Sequence, residues 1–134
     1  MDVDGPEEFW AWMDRVETDA CGGDQHARLV LGHVVAALDL LRRLPEAPSG
    51  ESEMATLKRV RQSRRYPLWR VSHVYHPDVA VRLICWFPPK VDTVVVTLFA
   101  GDKAKIGDIW YSSVAARADA LIDQWTRETS YDNQ

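Results

Sequence analysis

The stretch from Leu68 to Tyr111 constrains the fold more than any other part of the chain; it reads LWRVSHVYHPDVAVRLICWFPPKVDTVVVTLFAGDKAKIGDIWY. It holds three runs, Leu68 to Tyr75, Ala80 to Phe87 and Thr93 to Ala100, each rich in Val, Ile, Leu, Thr, Trp and Phe. These residues fit a pleated, half-buried surface. The joins are short and carry turn residues, one around Pro77 and one at Pro88 to Lys90. Short joins connect antiparallel neighbours, so a meander sheet is expected. Arg70, Arg82, Lys103 and Lys105 punctuate the stretch, together with His73, His76 and Tyr111. A sheet that spends strand positions on Arg and His points to one face that meets an anion.

The flanks read as helices. Pro6 to Glu17 opens with a proline suited to a first turn and with Glu7 and Glu8 against the helix dipole. Phe9, Trp12, Met13 and Val16 fall on one apolar stripe. Cys21, Gly22 and Gly23 interrupt it, and Asp24 can cap a second helix running to about Leu44, with Leu31, Val34, Val35, Leu38 and Leu41 as its buried face. Residues 45–53 are loop by composition. A basic strand is expected from near Thr56. After the meander, Ser112 or Ser113 can cap a last helix with Val114, Ala118, Leu121, Ile122 and Trp125 on its apolar stripe. The expected architecture is α+β: an N-terminal helical hairpin packed on a four-stranded, mainly antiparallel sheet, with a C-terminal helix. One domain over 1–134 is expected, with disordered ends at 1–5 and 128–134.

Composition excludes some function classes. No apolar run approaches the roughly 20 residues of a membrane span, and the opening MDVDGPEEF lacks the apolar core of an export signal. A cytoplasmic protein with no membrane partner is expected. Cys21 and Cys85 are the only cysteines, and without export a structural disulfide is not expected. The net charge of −4 is unevenly spread. Residues 1–50 carry 4 Lys/Arg and 10 Asp/Glu (−6), residues 51–112 carry 10 and 6 (+4), and residues 113–134 carry 2 and 4 (−2). The positive charge gathers on the β region and on the segment leading into it, where Lys58, Arg59, Arg61, Arg64 and Arg65 form a cluster suited to RNA phosphate or to an acidic protein segment.

The ordered set FWAWMDRVE, a Leu-rich second helix, LKRVRQS, LWRV, VRLICWF and VVVTLFAGDKAKIGDIWY resembles the RelE/HigB superfamily of bacterial toxins over roughly Phe9 to Trp125. The resemblance implies a RelE-like fold and a small endonuclease that cuts messenger RNA, often on the ribosome, causing growth arrest. It also implies a toxin–antitoxin system whose antitoxin is a helix-turn-helix protein, with no cofactor and no metal. Within it, VRLICWF supplies Arg82, FAGDKAK supplies Lys103 and Lys105, and IWY supplies Tyr111. Where the family's LW strand bears an arginine this chain has Ser72, with Arg70 two residues earlier on the same face. The family's first β strand is expected to be missing or truncated before Phe9.

Metal-free RNA cleavage uses the ribose 2′-hydroxyl as nucleophile and needs a base, an acid and cations around the pentavalent phosphate. Arg82 is the expected phosphate ligand, with a base stacked on Trp86 two pairs along the same strand face; the alternative is that Arg82 pairs with an Asp or reaches solvent. Lys103 and Lys105 either stabilise the transition state or form a solvated pair. Tyr111 acts as acid or base only where cations lower its pKa from near 10, and otherwise anchors the last helix. His73 is a candidate base or a hydrogen-bonded surface histidine. His73 and His76 fall on opposite strand faces, which argues against a metal site. A ParE-like, non-nuclease gyrase inhibitor and a small protein-binding module are the competing function classes.

Overall fold

In the computed structural model, the described residues are 1–49, 53–54, 57–61, 63–72, 82–100 and 108–131. The chain runs β1 (Asp2–Asp4), α1 (Glu7–Cys21), α2 (Gln25–Arg42), β2 (Leu57–Arg59), β3 (Leu68–Ser72), β4 (Arg82–Trp86), β5 (Thr93–Ala100) and α3 (Asp108–Thr129). The protein is α+β. Its sheet has five strands in the order β1-β5-β4-β3-β2.

The meander forms as the sequence predicts: β3–β4 and β4–β5 are antiparallel, and β2 adds antiparallel to β3. The β3–β4 join, with Pro77, lies outside the described residues. At the β4–β5 join Lys90 takes a left-handed φ of 68°, which reverses the chain after Pro89. The sheet is not four-stranded, however. Asp2–Asp4 pairs parallel with Thr93–Val95 and adds a fifth strand at the edge. Within residues 1–5, expected to be disordered, Asp2–Asp4 form a strand of the sheet. The Met1 amine donates to the Arg42 carbonyl at 2.8 Å, and the Trp125 indole N–H donates to Asp4 Oδ2 at 2.8 Å.

Strand alternation separates two cores. Leu57, Trp69, Val71, Leu83, Cys85, Val94 and Val96 face the α1–α2 hairpin, where Phe9, Val34, Leu38 and Leu41 meet them. Leu68, Ile84, Trp86 and Val95 face α3, through Val114, Ala118, Ile122 and Trp125. Sheet residues of alternate parity thus bury against helices on both sides. A bulge breaks the alternation in β5: Ile84 pairs with Leu98 but Cys85 with Val96, which leaves Thr97 as the extra residue. Thr97 is fully buried, and its hydroxyl donates to the Ile84 carbonyl at 3.0 Å.

The helix ends follow local chemistry. Asp24 caps α2, accepting from the Ala27 N–H at 3.1 Å, as the sequence predicts. Gly23 has φ 98°, a conformation open to glycine, and turns α1 into α2. α3 begins at Asp108, earlier than a cap at Ser112 or Ser113 allows; an acidic residue at its first position suits the positive end of the helix dipole. Its far end is not frayed at 128: the helix runs to Thr129, and the Tyr131 hydroxyl donates to the Pro89 carbonyl at 2.6 Å. Cys85 is buried, which pushes its thiol pKa up, and Cys21 is exposed; both are free thiols. No helix among the described residues is long and apolar enough to cross a membrane.

Candidate nucleic-acid interface

Strand β2 forms one edge of the sheet, and the basic cluster lies on it and on the turn that follows. Lys58, Arg61, Arg64 and Arg65 are exposed, while Arg59 and Arg70 are half-buried. The turn is tied. The Val60 N–H donates to the Leu68 carbonyl at 2.9 Å; the Ser63 hydroxyl donates to the Val60 carbonyl at 2.6 Å and accepts from the Leu68 N–H at 3.0 Å. The cations flanking Ser63 are thus carried on a turn closed by a side chain as well as by backbone.

Alternation divides these cations. Leu57 belongs to the core under the hairpin, so Lys58 points to the α3 side and Arg59 to the hairpin side. The Arg59 guanidinium lies 5.5 Å from the Trp69 ring centroid, a cation–π contact, and its buried Nε has no hydrogen-bond partner. The Arg59 backbone N–H donates to Glu53 Oε1 at 3.0 Å. On the other face Lys58 stands opposite Arg70 in the ladder, and Arg70 stands opposite Ile84.

Arg65 is already engaged. Its Nη1 donates to Asp123 Oδ2 at 2.7 Å, the Tyr66 hydroxyl donates to Asp123 Oδ1 at 2.6 Å, and the Arg65 guanidinium lies 5.2 Å from the Tyr66 ring centroid. The clasp ties the basic turn to α3. The hydrogen bond from Tyr66, aided by Arg65, holds the Asp123 carboxyl below the usual carboxylate range, while burial and the hydrogen bond to Asp123 push the Tyr66 phenol up. One turn earlier on α3, Asp119 is 9% exposed and its Oδ1 has no hydrogen-bond partner.

The clasp sets a pH window. Asp123 binds its proton more weakly folded than unfolded, so its contribution is complete above its ordinary value of 3.8 and is lost as pH falls through the lowered folded value. Tyr66 has the opposite sign: its contribution is complete below 10.0 and declines above it until the raised folded value is passed. Thermal melts from about pH 2 to pH 6 are expected to show a smaller acid loss of Tm in Asp123→Asn than in wild type.

Trp86 is not a stacking platform. It is 2% exposed, and its ring is enclosed edge-to-face by Tyr66 at 5.1 Å, Trp125 at 5.9 Å and Tyr131 at 5.9 Å. The helix that covers this face of β4 leaves no ring face for a base. Arg82 is the first residue of β4 and stands in the row Ser72, Arg82, Ala100. His73, His76, Lys103 and Lys105 lie outside the described residues. Tyr111 belongs to the first turn of α3. In the chain, His73 directly follows Ser72, and Lys103 and Lys105 come after Ala100; Ser72 and Ala100 flank Arg82 in the ladder. Among the described residues no group of three His, Cys, Asp or Glu side chains could share a metal ion.

Sequence reasoning missed Asp123, Tyr66 and Asp119. A signal was present: Asp119 and Asp123 are four apart and interleave with the apolar stripe of Ala118, Ile122 and Trp125, which puts carboxylates at the margin of a buried helix face, where a cation or a donor must meet them. No family model, curated protein or solved structure matches the chain.

Proposed function

We propose that this chain is the toxin of a toxin–antitoxin system, a RelE/HigB-like endoribonuclease that cuts messenger RNA on the ribosome and is neutralised by a helix-turn-helix antitoxin. The observation that carries the reading is the unpaired positive edge: among the described residues Lys58, Arg61, Arg64 and Arg70 make no ion pair, on a chain whose net charge is −4. Cations clustered on one edge raise the local positive potential, which draws an external polyanion. Two further features support it. An N-terminal strand, expected to be missing or truncated before Phe9, is formed by Asp2–Asp4 beside β5, which is compatible with the family pattern. Arg82 also shares its row with Ser72 and Ala100, which precede His73 and the Lys103–Lys105 pair in the sequence.

In the proposed reaction the 2′-oxygen attacks phosphorus, the P–O5′ bond breaks, and a 2′,3′-cyclic phosphate and a 5′-hydroxyl result. The base removes the 2′-proton and the acid protonates the leaving 5′-oxygen. Arg82 and a loop lysine balance the charge on the phosphorane. His73 and Tyr111 are the candidates for proton transfer.

The test is induced expression in a bacterium, wild type beside Arg82→Ala, with growth curves and primer extension on cellular transcripts. Growth arrest with new cut sites inside coding regions is expected for wild type, with both lost in Arg82→Ala. The burial of Trp86 and the neutralisation of Arg65 favour a second reading, a ParE-like gyrase inhibitor that keeps the fold without the chemistry. Arrest with intact messages and damaged DNA would establish that reading instead.

A further inference from the structure

The ladder places two cations where an isolated sheet disfavours them. Lys58 and Arg70 are directly opposed on antiparallel strands β2 and β3. Directly opposed side chains start about 5 Å apart at Cβ, and like charges there repel. Both residues point to the α3 side, Lys58 exposed and Arg70 half-buried, and among the described residues neither makes an ion pair. Of the α3 carboxylates, Asp123 is held by Arg65 and Tyr66, and Asp119 is buried without an ion pair to either cation. Two other arginines of the cluster are engaged elsewhere: Arg59 lies on the opposite face against Trp69, and Arg65 is in the clasp.

We infer that Lys58 and Arg70 form a two-cation clamp for a phosphodiester, so that an RNA backbone crosses the β2 edge on the α3 side of the sheet. This rests on the proposed RNA-binding function and names which cations of the cluster carry it. The chemistry fits. The guanidinium presents paired N–H donors to two phosphate oxygens, and the ammonium adds a point charge to the same group. An anion between them turns the like-charge repulsion into attraction. β2 is an edge strand, so a polymer can enter and leave past it. Arg59 and Arg65 are positioning residues: they hold β2 and the turn, and do not touch phosphate.

The experiment uses the full chain and two probes, a fluorescent single-stranded RNA 12-mer of mixed sequence and inorganic pyrophosphate. Lys58→Gln and Arg70→Gln are each expected to weaken RNA binding about tenfold and to reduce the salt slope by about 0.7. Lys58→Arg is expected to restore it. Tm is expected to stay level or rise in both glutamine variants as the repulsion is relieved, and to fall in Arg65→Gln. Arg43→Gln, at the exposed residue that caps the end of α2 and pairs with Asp39, is the control for general charge loss. Unchanged RNA affinity and slope in both glutamine variants would overturn the clamp and leave the RNA function standing. A pyrophosphate-dependent rise in Tm that these variants abolish, with no RNA binding by wild type, would keep the clamp and overturn the RNA function. No response to either probe would overturn both.

Discussion

Trp86→Ala is expected to cost about 3–5 kcal/mol of stability, the range for removing a buried aromatic side chain. Trp86 is 2% exposed and is the hub of the core beneath α3, touching the rings of Tyr66, Trp125 and Tyr131. Its loss opens a cavity that three further aromatic rings cannot all close at once. Each ring is also held by its own polar tip: Tyr66 to Asp123, Trp125 to Asp4, and Tyr131 to the Pro89 carbonyl. Collapse would break those bonds, so the cavity persists. A domain is typically stable by about 5–15 kcal/mol, so this one substitution removes a large share. In urea the midpoint is expected to fall by on the order of 2 M, with m unchanged. Trp86→Phe, which keeps an aromatic edge, is expected to lose much less. A midpoint unchanged in Trp86→Ala would refute the packed core described above.

Phe9→Ala is expected to cost about as much, roughly 3–5 kcal/mol, on the other side of the sheet. Phe9 is fully buried in the first turn of α1, where its N–H donates to the Pro6 carbonyl at 3.0 Å. The ring lies edge-on to Trp10 at 5.0 Å. It also packs against Gly5, where an added Cβ would stand 3.4 Å from Phe9 Cδ2 and 3.2 Å from the Val96 carbonyl oxygen. Phe9 therefore joins β1, α1 and β5 at one point. Because Phe9 and Trp86 belong to separate cores across a sheet, the milder pair Phe9→Leu and Trp86→Phe is expected to add within about 0.3–0.5 kcal/mol. A larger coupling in denaturant melts of the double variant would mean that the sheet transmits packing strain between its faces.

Much of the fold was readable from local pattern. The meander, the helix pair, the Asp24 cap and the stripe from Val114 to Trp125 all follow from periodicity and capping chemistry, which depend on residues close in the chain. What escaped depends on residues far apart. The run Asp2–Asp4 has one apolar residue between two charges, and only β5 makes it a strand. The run TVVVTLFA gives no sign that Thr97 is a bulge, because the extra residue is defined by the partner strand. Strand parity groups Arg82, Ile84 and Trp86 on one face, and Ile84 and Trp86 do share one core. It cannot say that α3 covers the Trp86 end of that face, and so it offered a buried ring as a base platform. Likewise the charge run from Lys58 to Arg65 reads as five equivalent cations; a carboxylate 58 residues away neutralises one of them.

The parallel edge of the sheet also fixes an order of events during synthesis. β1 precedes the rest of the sheet in the chain, yet its partner β5 is the last strand among the described residues, and the indole that locks Asp4 lies 121 residues downstream. The α1–α2 hairpin can pair early because its contacts are local. The sheet edge cannot form until β5 has been made, and it cannot be locked until translation has passed Trp125. A nascent chain halted anywhere before that point exposes the apolar strip of whatever strands it has made. Pulse proteolysis of stalled chains of increasing length would locate the step, with resistance gained only once the end of α3 has left the exit tunnel.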